Sequence, residues 1–179
     1  MTAEMLPSLT GQYLPTPIQM EKQFVYGTMS FWLGRQAGTE TSHRWTVYVR
    51  GVDSEDLSYF VKKVVFTLHE SFNEPIRTIE KPPYEVTEIG WGEFDIGIKI
   101  HFHDPKETPI ALVHHLKLFH TPGTHTVKKP VVSETLDEFV FVNPSEIMVK
   151  CLNSPSPAFV RNETMAPYYV TVELREQEQ

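Results

Sequence analysis

The sequence predicts an all-β chain, an antiparallel sandwich with one or two short helices. Two observations carry that reading: apolar and polar residues alternate in run after run, and turn-rich segments separate the runs with little helical periodicity between them. Residues 1–21 hold Pro7, Pro15 and Pro17 among Ser, Thr and Gln without a sustained period, and read as a flexible N-terminal arm. The folded domain is expected over 22–152, with a first strand from Phe24 to Leu33. In the next run Trp45, Val47 and Val49 alternate against Arg44, Thr46, Tyr48 and Arg50, the pattern of a half-buried strand. Ser54-Glu55-Asp56-Leu57 has the hydroxyl and acids of a first helical turn. Val64, Phe66 and Leu68 resume the period of two, and Tyr84 to Glu88 reads as a further strand. The clearest run is Phe94, Ile96, Ile98, Ile100 and Phe102, with Asp95, Gly97, Lys99, His101 and His103 on its other face. Strands over Ile110–Phe119 and Val131–Val142 follow, then a short helix opened by Asn143-Pro144-Ser145-Glu146 and running to Leu152. Residues 153–179 read as a linker and C-terminal segment. Ser154-Pro155-Ser156-Pro157 breaks regular structure, Tyr168–Leu174 alternates weakly as an added strand, and Glu176-Gln177-Glu178-Gln179 looks solvated. Short strands at this spacing are those of an immunoglobulin-like β-sandwich.

Composition excludes several classes of function. A length of 179 residues with 40% hydrophobic content suits one domain with tails around a single core. The lone Cys151 has no partner for an internal disulfide and no signal-type segment opens the chain, so a reducing compartment, cytosol or nucleus, is expected. No stretch is long enough for a membrane span. The net charge of -7 argues against broad phosphate binding and makes a basic peptide the better partner.

Two aromatic clusters at predicted strand ends concentrate the recognition chemistry: Leu68-His69-Glu70-Ser71-Phe72 and Gly90-Trp91-Gly92-Glu93-Phe94. The first offers an imidazole, a hydroxyl and a ring. The second sets the largest apolar side chain between two glycines, which lets a ligand approach the backbone. Read alone, Phe72 and Phe94 also suit an ordinary core and Ser71 an ordinary turn, while Trp91 stands evenly between a loop anchor and a core residue.

The order of these clusters, with Pro82-Pro83-Tyr84-Glu85-Val86 between them, resembles the YEATS domain family of chromatin readers. Val25-Tyr26-Gly27, the run His43 to Arg50 and the run Lys128 to Glu134 extend the resemblance over roughly residues 22–150. Within the family the chain looks closest to the small subunits shared by nucleosome-acetylating and histone-exchange complexes. The resemblance implies a nuclear, non-enzymatic protein without cofactor. It would bind an acylated lysine (acetyl or crotonyl) on a histone tail, that of H3, and bring a chromatin-remodelling or acetyltransferase complex to it. An acylated lysine is a flat uncharged amide with an apolar tail, so a slot between rings can hold it without burying an ammonium ion. Phe72 and Trp91 would form the walls. Ser71 would donate its hydroxyl to the acyl carbonyl, the Trp91 backbone N–H would do the same, and the backbone at Gly90 and Gly92 would complete the clamp. His69 would orient Ser71, with Phe94 and Tyr84 supporting the walls. Thr41 stands where relatives often carry an aromatic or imidazole side chain, which leaves the slot short of one lining ring. Leu112 to Lys117 lacks the acid that some relatives set against a peptide arginine, and Glu70, Glu74, Glu88 and Asp95 are candidates to replace it.

Two other readings compete. One is a scaffold that docks complex subunits without reading acyl-lysine. The other is a metal site, since alternation puts His101 and His103 on one face with His114, His115 and His120 further along, although no carboxylate stands at an obvious third position. Lys62-Lys63 and Lys128-Lys129 are pairs that might meet nucleic acid, but solvated strand positions are their commoner role, and strong direct nucleic-acid binding is not expected.

Overall fold

The alternating runs pair into two four-stranded antiparallel sheets that enclose one aromatic core, in a computed structural model that describes residues 5–7, 13–120 and 129–154. One sheet contains β3 (Gln19–Trp32), β4 (His43–Arg50), β7 (Tyr84–Gly90) and β10 (Val131–Val142) in the order β10-β3-β4-β7. The other contains β5 (Val61–Thr67), β6 (Ile76–Ile79), β8 (Asp95–Phe102) and β9 (Ile110–His115) in the order β6-β5-β8-β9. Two three-residue strands, β1 (Met5–Pro7) and β2 (Tyr13–Pro15), pair with each other, and α1 (Glu146–Leu152) follows β10.

Every second residue of the central strands enters the core, as the period of two requires: Trp45, Val47 and Val49 from β4, Val64 and Phe66 from β5, and Ile96, Ile98 and Ile100 from β8 are all buried. Phe24 and Phe139 stack at 3.9 Å between ring centroids. Polar groups tie the layers together at their margins. The Tyr84 hydroxyl donates to the Val61 carbonyl at 3.1 Å, and the Ser30 hydroxyl to that of Lys117 at 3.1 Å. Thr28 Oγ1 and His114 Nε2 are hydrogen bonded at 2.9 Å in a buried site.

Burial, and secondarily the neighbouring His115, hold the His114 imidazole below its usual range. The unfolded chain therefore takes up this proton first on acidification. The stability His114 contributes is present above the ordinary histidine pKa and is lost as pH falls through its folded value. Thermal unfolding followed from pH 7 to pH 5 should show a falling midpoint, and His114→Gln should flatten that slope while lowering the midpoint at pH 7. An unchanged slope in the variant would assign the acid sensitivity elsewhere, His101 being a second lowered imidazole.

The elements depart from the sequence reading where pairing or side-chain bonds outweigh local pattern. β3 begins at Gln19 rather than Phe24, inside the segment read as an arm, because β10 extends to Val142 and pairs with it there. β6 was not expected: its four residues after Pro75 are too short to show a period, and Arg77 anchors them to Glu88 at 2.7 Å. The helical turn expected at Ser54 does not form. Ser54 takes φ 55, and the carboxylates of Glu55 and Asp56 accept the backbone N–H groups of Asp53 and Ser58 in turns. β9 stops at His115, short of Phe119, because the Leu116 N–H donates to the Phe94 carbonyl and the Leu118 N–H to the Glu93 carboxylate. The C-terminal helix forms as read, with the Ser145 hydroxyl accepting the Met148 N–H at 3.1 Å. The Ser154–Pro157 linker beyond Ser154, the added strand at Tyr168–Leu174 and the closing Glu/Gln run lie outside the described residues.

Candidate binding site

Three connections meet at one end of the sandwich. The pairing of His43 with Gly90 brings the start of β4 to the end of β7, and the pairing of Thr67 with Gly97 brings the end of β5 to the start of β8. The segments 33–42, 68–75 and 91–94 thus border a common cleft of about 610 Å³. Glu40 lines it from the first segment, His69, Ser71 and Phe72 from the second, and Ile89 to Phe94 from the end of β7 and the segment after it.

The two rings differ in how they are held. Phe72 is half-buried, its ring 5.8 Å from Trp45 in an edge-on arrangement and 5.6 Å from Phe94. It is a wall fixed by the core. Trp91 is 64% exposed, which removes the core reading for this residue. Its indole stands largely open to solvent at the edge of the cleft. Gly90 keeps that space clear: a methyl group there would lie 3.6 Å from Phe72 Cζ and 3.7 Å from Trp45 Nε1, and one on Gly92 would meet nothing.

His69 and Ser71 form a directed pair. The Ser71 backbone N–H donates to His69 Nδ1 at 3.2 Å, so Nδ1 is the unprotonated nitrogen, and Ser71 Oγ lies 2.9 Å from the same atom. The serine hydroxyl proton therefore points to the imidazole and its lone pairs face outward. In this pairing the Ser71 oxygen is open to accept a hydrogen bond, whereas the sequence reading has its hydroxyl donating to a carbonyl. The Phe72 N–H closes the turn on the His69 carbonyl at 3.1 Å. Among the described residues no hydrogen bond is made by the Trp91 backbone N–H, and Trp91 and Ser71 both line the cleft.

The other named residues separate. Phe94 supports both walls, 5.7 Å from Trp45 and 5.9 Å from the His69 ring. Tyr84 does not: it opens β7 six residues before Gly90, about 20 Å away along the strand, and is buried in the core. Thr41 is also off the cleft, since its hydroxyl turns back to the Ala37 carbonyl and leaves Glu40 at the rim. Of the acids proposed for a peptide arginine, Glu88 is paired with Arg77 and Asp95 with His115 at 2.8 Å, while Glu70 and Glu74 are exposed outside the lining. Glu40, Ile89 and the floor residue Trp45 were missed. Alternation had placed Trp45 in the core, and only the strand register puts it beneath Gly90. Among the described residues no three His, Cys, Asp or Glu side chains converge on a metal position. His103 is bonded to the Ser58 carbonyl and His114 to Thr28.

The sequence and the fold both have known relatives. The YEATS family profile matches residues 40–120. The transcription initiation factor TFIID subunit 14b of Arabidopsis thaliana is 51% identical over 148 residues, which cover 80% of this chain and 55% of that protein. The chain thus spans about half the length of this relative. The protein AF-9 homolog of Eremothecium gossypii is 38% identical, with 82% of this chain and 75% of that protein covered. Among solved structures, the Yaf9 YEATS domain bound to H3K27ac is similar with a TM-score of 0.69 at 40% identity, covering 78% of this chain and 97% of that one. The Yaf9 YEATS domain recognizing an H3K122suc peptide gives 0.68 at 41% identity, with the same coverage.

Proposed function

The chain belongs to the YEATS family, and on that premise we propose that its cleft reads acylated lysine on a histone H3 tail, in the nucleus, as the targeting module of a chromatin-remodelling or acetyltransferase complex. Solved relatives that carry acylated H3 peptides support the ligand class. The observation that carries the reading is the pairing of one fixed and one exposed ring across a cleft whose polar groups match an amide. The acyl-lysine amide lies between Phe72 and Trp91, giving its N–H to Ser71 Oγ and taking the Trp91 N–H at its carbonyl. Both polar ends are then satisfied, which matters because a desolvated amide left unpaired costs roughly 1–3 kcal/mol. The apolar end of the acyl group, acetyl or crotonyl, passes between the rings. In this reading Ser71 Oγ meets the amide N–H rather than the carbonyl carbon, a contact that binds the amide without attacking it.

Titration with H3 peptides that differ only in lysine acylation tests the proposal. Acylated peptides should bind in roughly the micromolar range, near -8 kcal/mol, and unmodified ones far more weakly because an ammonium ion must shed its water to enter. Equal affinities would sink the reading and favour a bare cation stacked on the rings.

A further inference from the structure

β10 lies at the edge of its sheet, bonded to β3 on one side and, among the described residues, to no strand on the other. Its twelve residues, Val131–Val142, include no proline, so the open flank presents a continuous row of backbone N–H and C=O groups. Val131, Phe139 and Phe141 turn into the core, and alternation sends Val132, Leu136, Val140 and Val142 outward, all of them exposed. From Glu134 to Glu138 every residue is exposed, so both faces of the strand stand clear of the other sheet there. Three of these residues are acids. Glu134 is held by Arg50 at 3.2 Å and by the Tyr48 hydroxyl. Asp137 and Glu138 have no ion pair with any described residue. The Asp137 carboxylate folds back to accept the Glu138 N–H at 2.8 Å, the kind of local bond that competes with a sheet ladder. Glu21 pairs in register with Val140 and so stands diagonally across from Glu138, while the neighbouring Lys22 places its ammonium over the Tyr59 ring at 5.6 Å. Partial desolvation, then the charge of Glu21 and a hydrogen bond with it, hold the Glu138 carboxyl above its usual range. Like charges this close on adjacent strands disfavour the sheet unless something beyond its edge offsets them.

We propose that this edge takes up an extended segment of a protein partner as a fifth strand, with two adjacent basic residues against Asp137 and Glu138 and apolar residues beside Leu136 and Val140. The backbone row supplies main-chain hydrogen bonds, and the side chains along it select the sequence. Alternate positions share a face, so the partner residues opposite Leu136, Glu138 and Val140 lie on one side of the added strand and the residue opposite Asp137 on the other. The segment therefore reads apolar-basic-basic-any-apolar, in either direction. A second copy of this chain fits poorly. The midpoint of β10 falls between Leu136 and Asp137, so pairing the whole strand with its twofold mate gathers Asp137 and Glu138 of both copies around the axis, where like charges repel. That repulsion guards the edge against self-association and leaves it open to a strand of opposite charge. The edge is also separate from the cleft: Phe24, opposite Asp137, precedes Trp32, opposite His43, by eight residues, about 26 Å along β3.

Fluorescence anisotropy of a labelled synthetic peptide, in which threonine alternates with valine and isoleucine around a central Lys-Arg pair, tests this when titrated with the whole chain. The peptide should bind, and a scrambled peptide of the same composition should bind about tenfold more weakly or worse, because charge alone does not supply the alternation. Binding should also slow amide hydrogen exchange across residues 134–138, as ladder bonds do. Combined Asp137→Lys and Glu138→Lys should weaken the Lys-Arg peptide by about tenfold or more and confer binding of the same peptide with Glu-Glu at its centre, while acylated H3 peptide affinity and the melting temperature stay unchanged. Glu70→Gln, at an exposed acid off this edge, should keep the affinity within about twofold. No binding of the Lys-Arg peptide at low salt, equal binding of the scrambled one, or a charge-reversed variant that binds as the parent does would each overturn the proposal. So would protection of the outward-facing β10 amides before any peptide is added, through a second copy if sedimentation shows a dimer and through the chain's own terminal segments if it shows a monomer. Because the acylated-peptide titration runs alongside, failure of the edge and failure of the cleft are separately visible.

Discussion

Trp91→Ala is expected to abolish acyl-lysine peptide binding while leaving the domain folded. With 64% of its surface exposed, Trp91 holds little of the core, so truncation should shift the melting temperature by no more than surface substitutions do, within about ±0.5 kcal/mol of stability. In the complex the same indole covers one side of the acyl group and keeps water from the amide. An aromatic anchor of that kind costs about 2 kcal/mol or more on truncation, about thirtyfold in affinity. Trp91→Phe should recover part of the loss, since a smaller ring still closes the slot. Thermal unfolding and peptide titration on the same variant decide the matter. A stable Trp91→Ala protein that binds acylated H3 peptide normally would show that the open indole is not a wall of the site.

The sequence carried the sandwich because alternation is local: each of the seven strands expected within the described residues pairs in the structure, with ends set by the partner strand. What it did not carry depends on register or on side-chain bonding. Trp45 and Gly90 are far apart in sequence, and only the pairing of β4 with β7 stacks them beneath the cleft. Tyr84 sits next to conspicuous prolines in a recognisable string, yet strand length alone moves it to the opposite end of β7. The direction of the Ser71 hydroxyl was out of reach for a similar reason. It is fixed by which atoms meet His69 Nδ1, and residue order says nothing of that. Glu40 escaped notice because a single acid in a loop has no pattern; the Thr41 hydroxyl, turned back to Ala37, leaves it at the rim.

Trp45→Ala should act in the opposite sense to Trp91→Ala and through the fold. Trp45 is fully buried near the start of β4, with Phe72 and Phe94 both packed edge-on against its indole. Truncating a large core aromatic costs roughly 3–5 kcal/mol, from lost burial and from the cavity left behind. Against a total stability of about 5–15 kcal/mol for a domain, that lowers the melting temperature by about 10–20 °C. Peptide binding should weaken as well, because Phe72 loses the surface that fixes its angle, but the residual binding should be recoverable below the new transition. Trp45→Phe separates the two contributions. Trp45 Nε1 is buried without a hydrogen-bond partner, so exchanging the indole for a phenyl ring removes apolar contact without orphaning any further polar group. The phenylalanine variant should therefore lie much nearer the parent than the alanine variant in melting temperature, and nearer still in peptide affinity. A Trp45→Ala protein that melts within a few degrees of the parent would mean that the rings of the cleft stand without this floor.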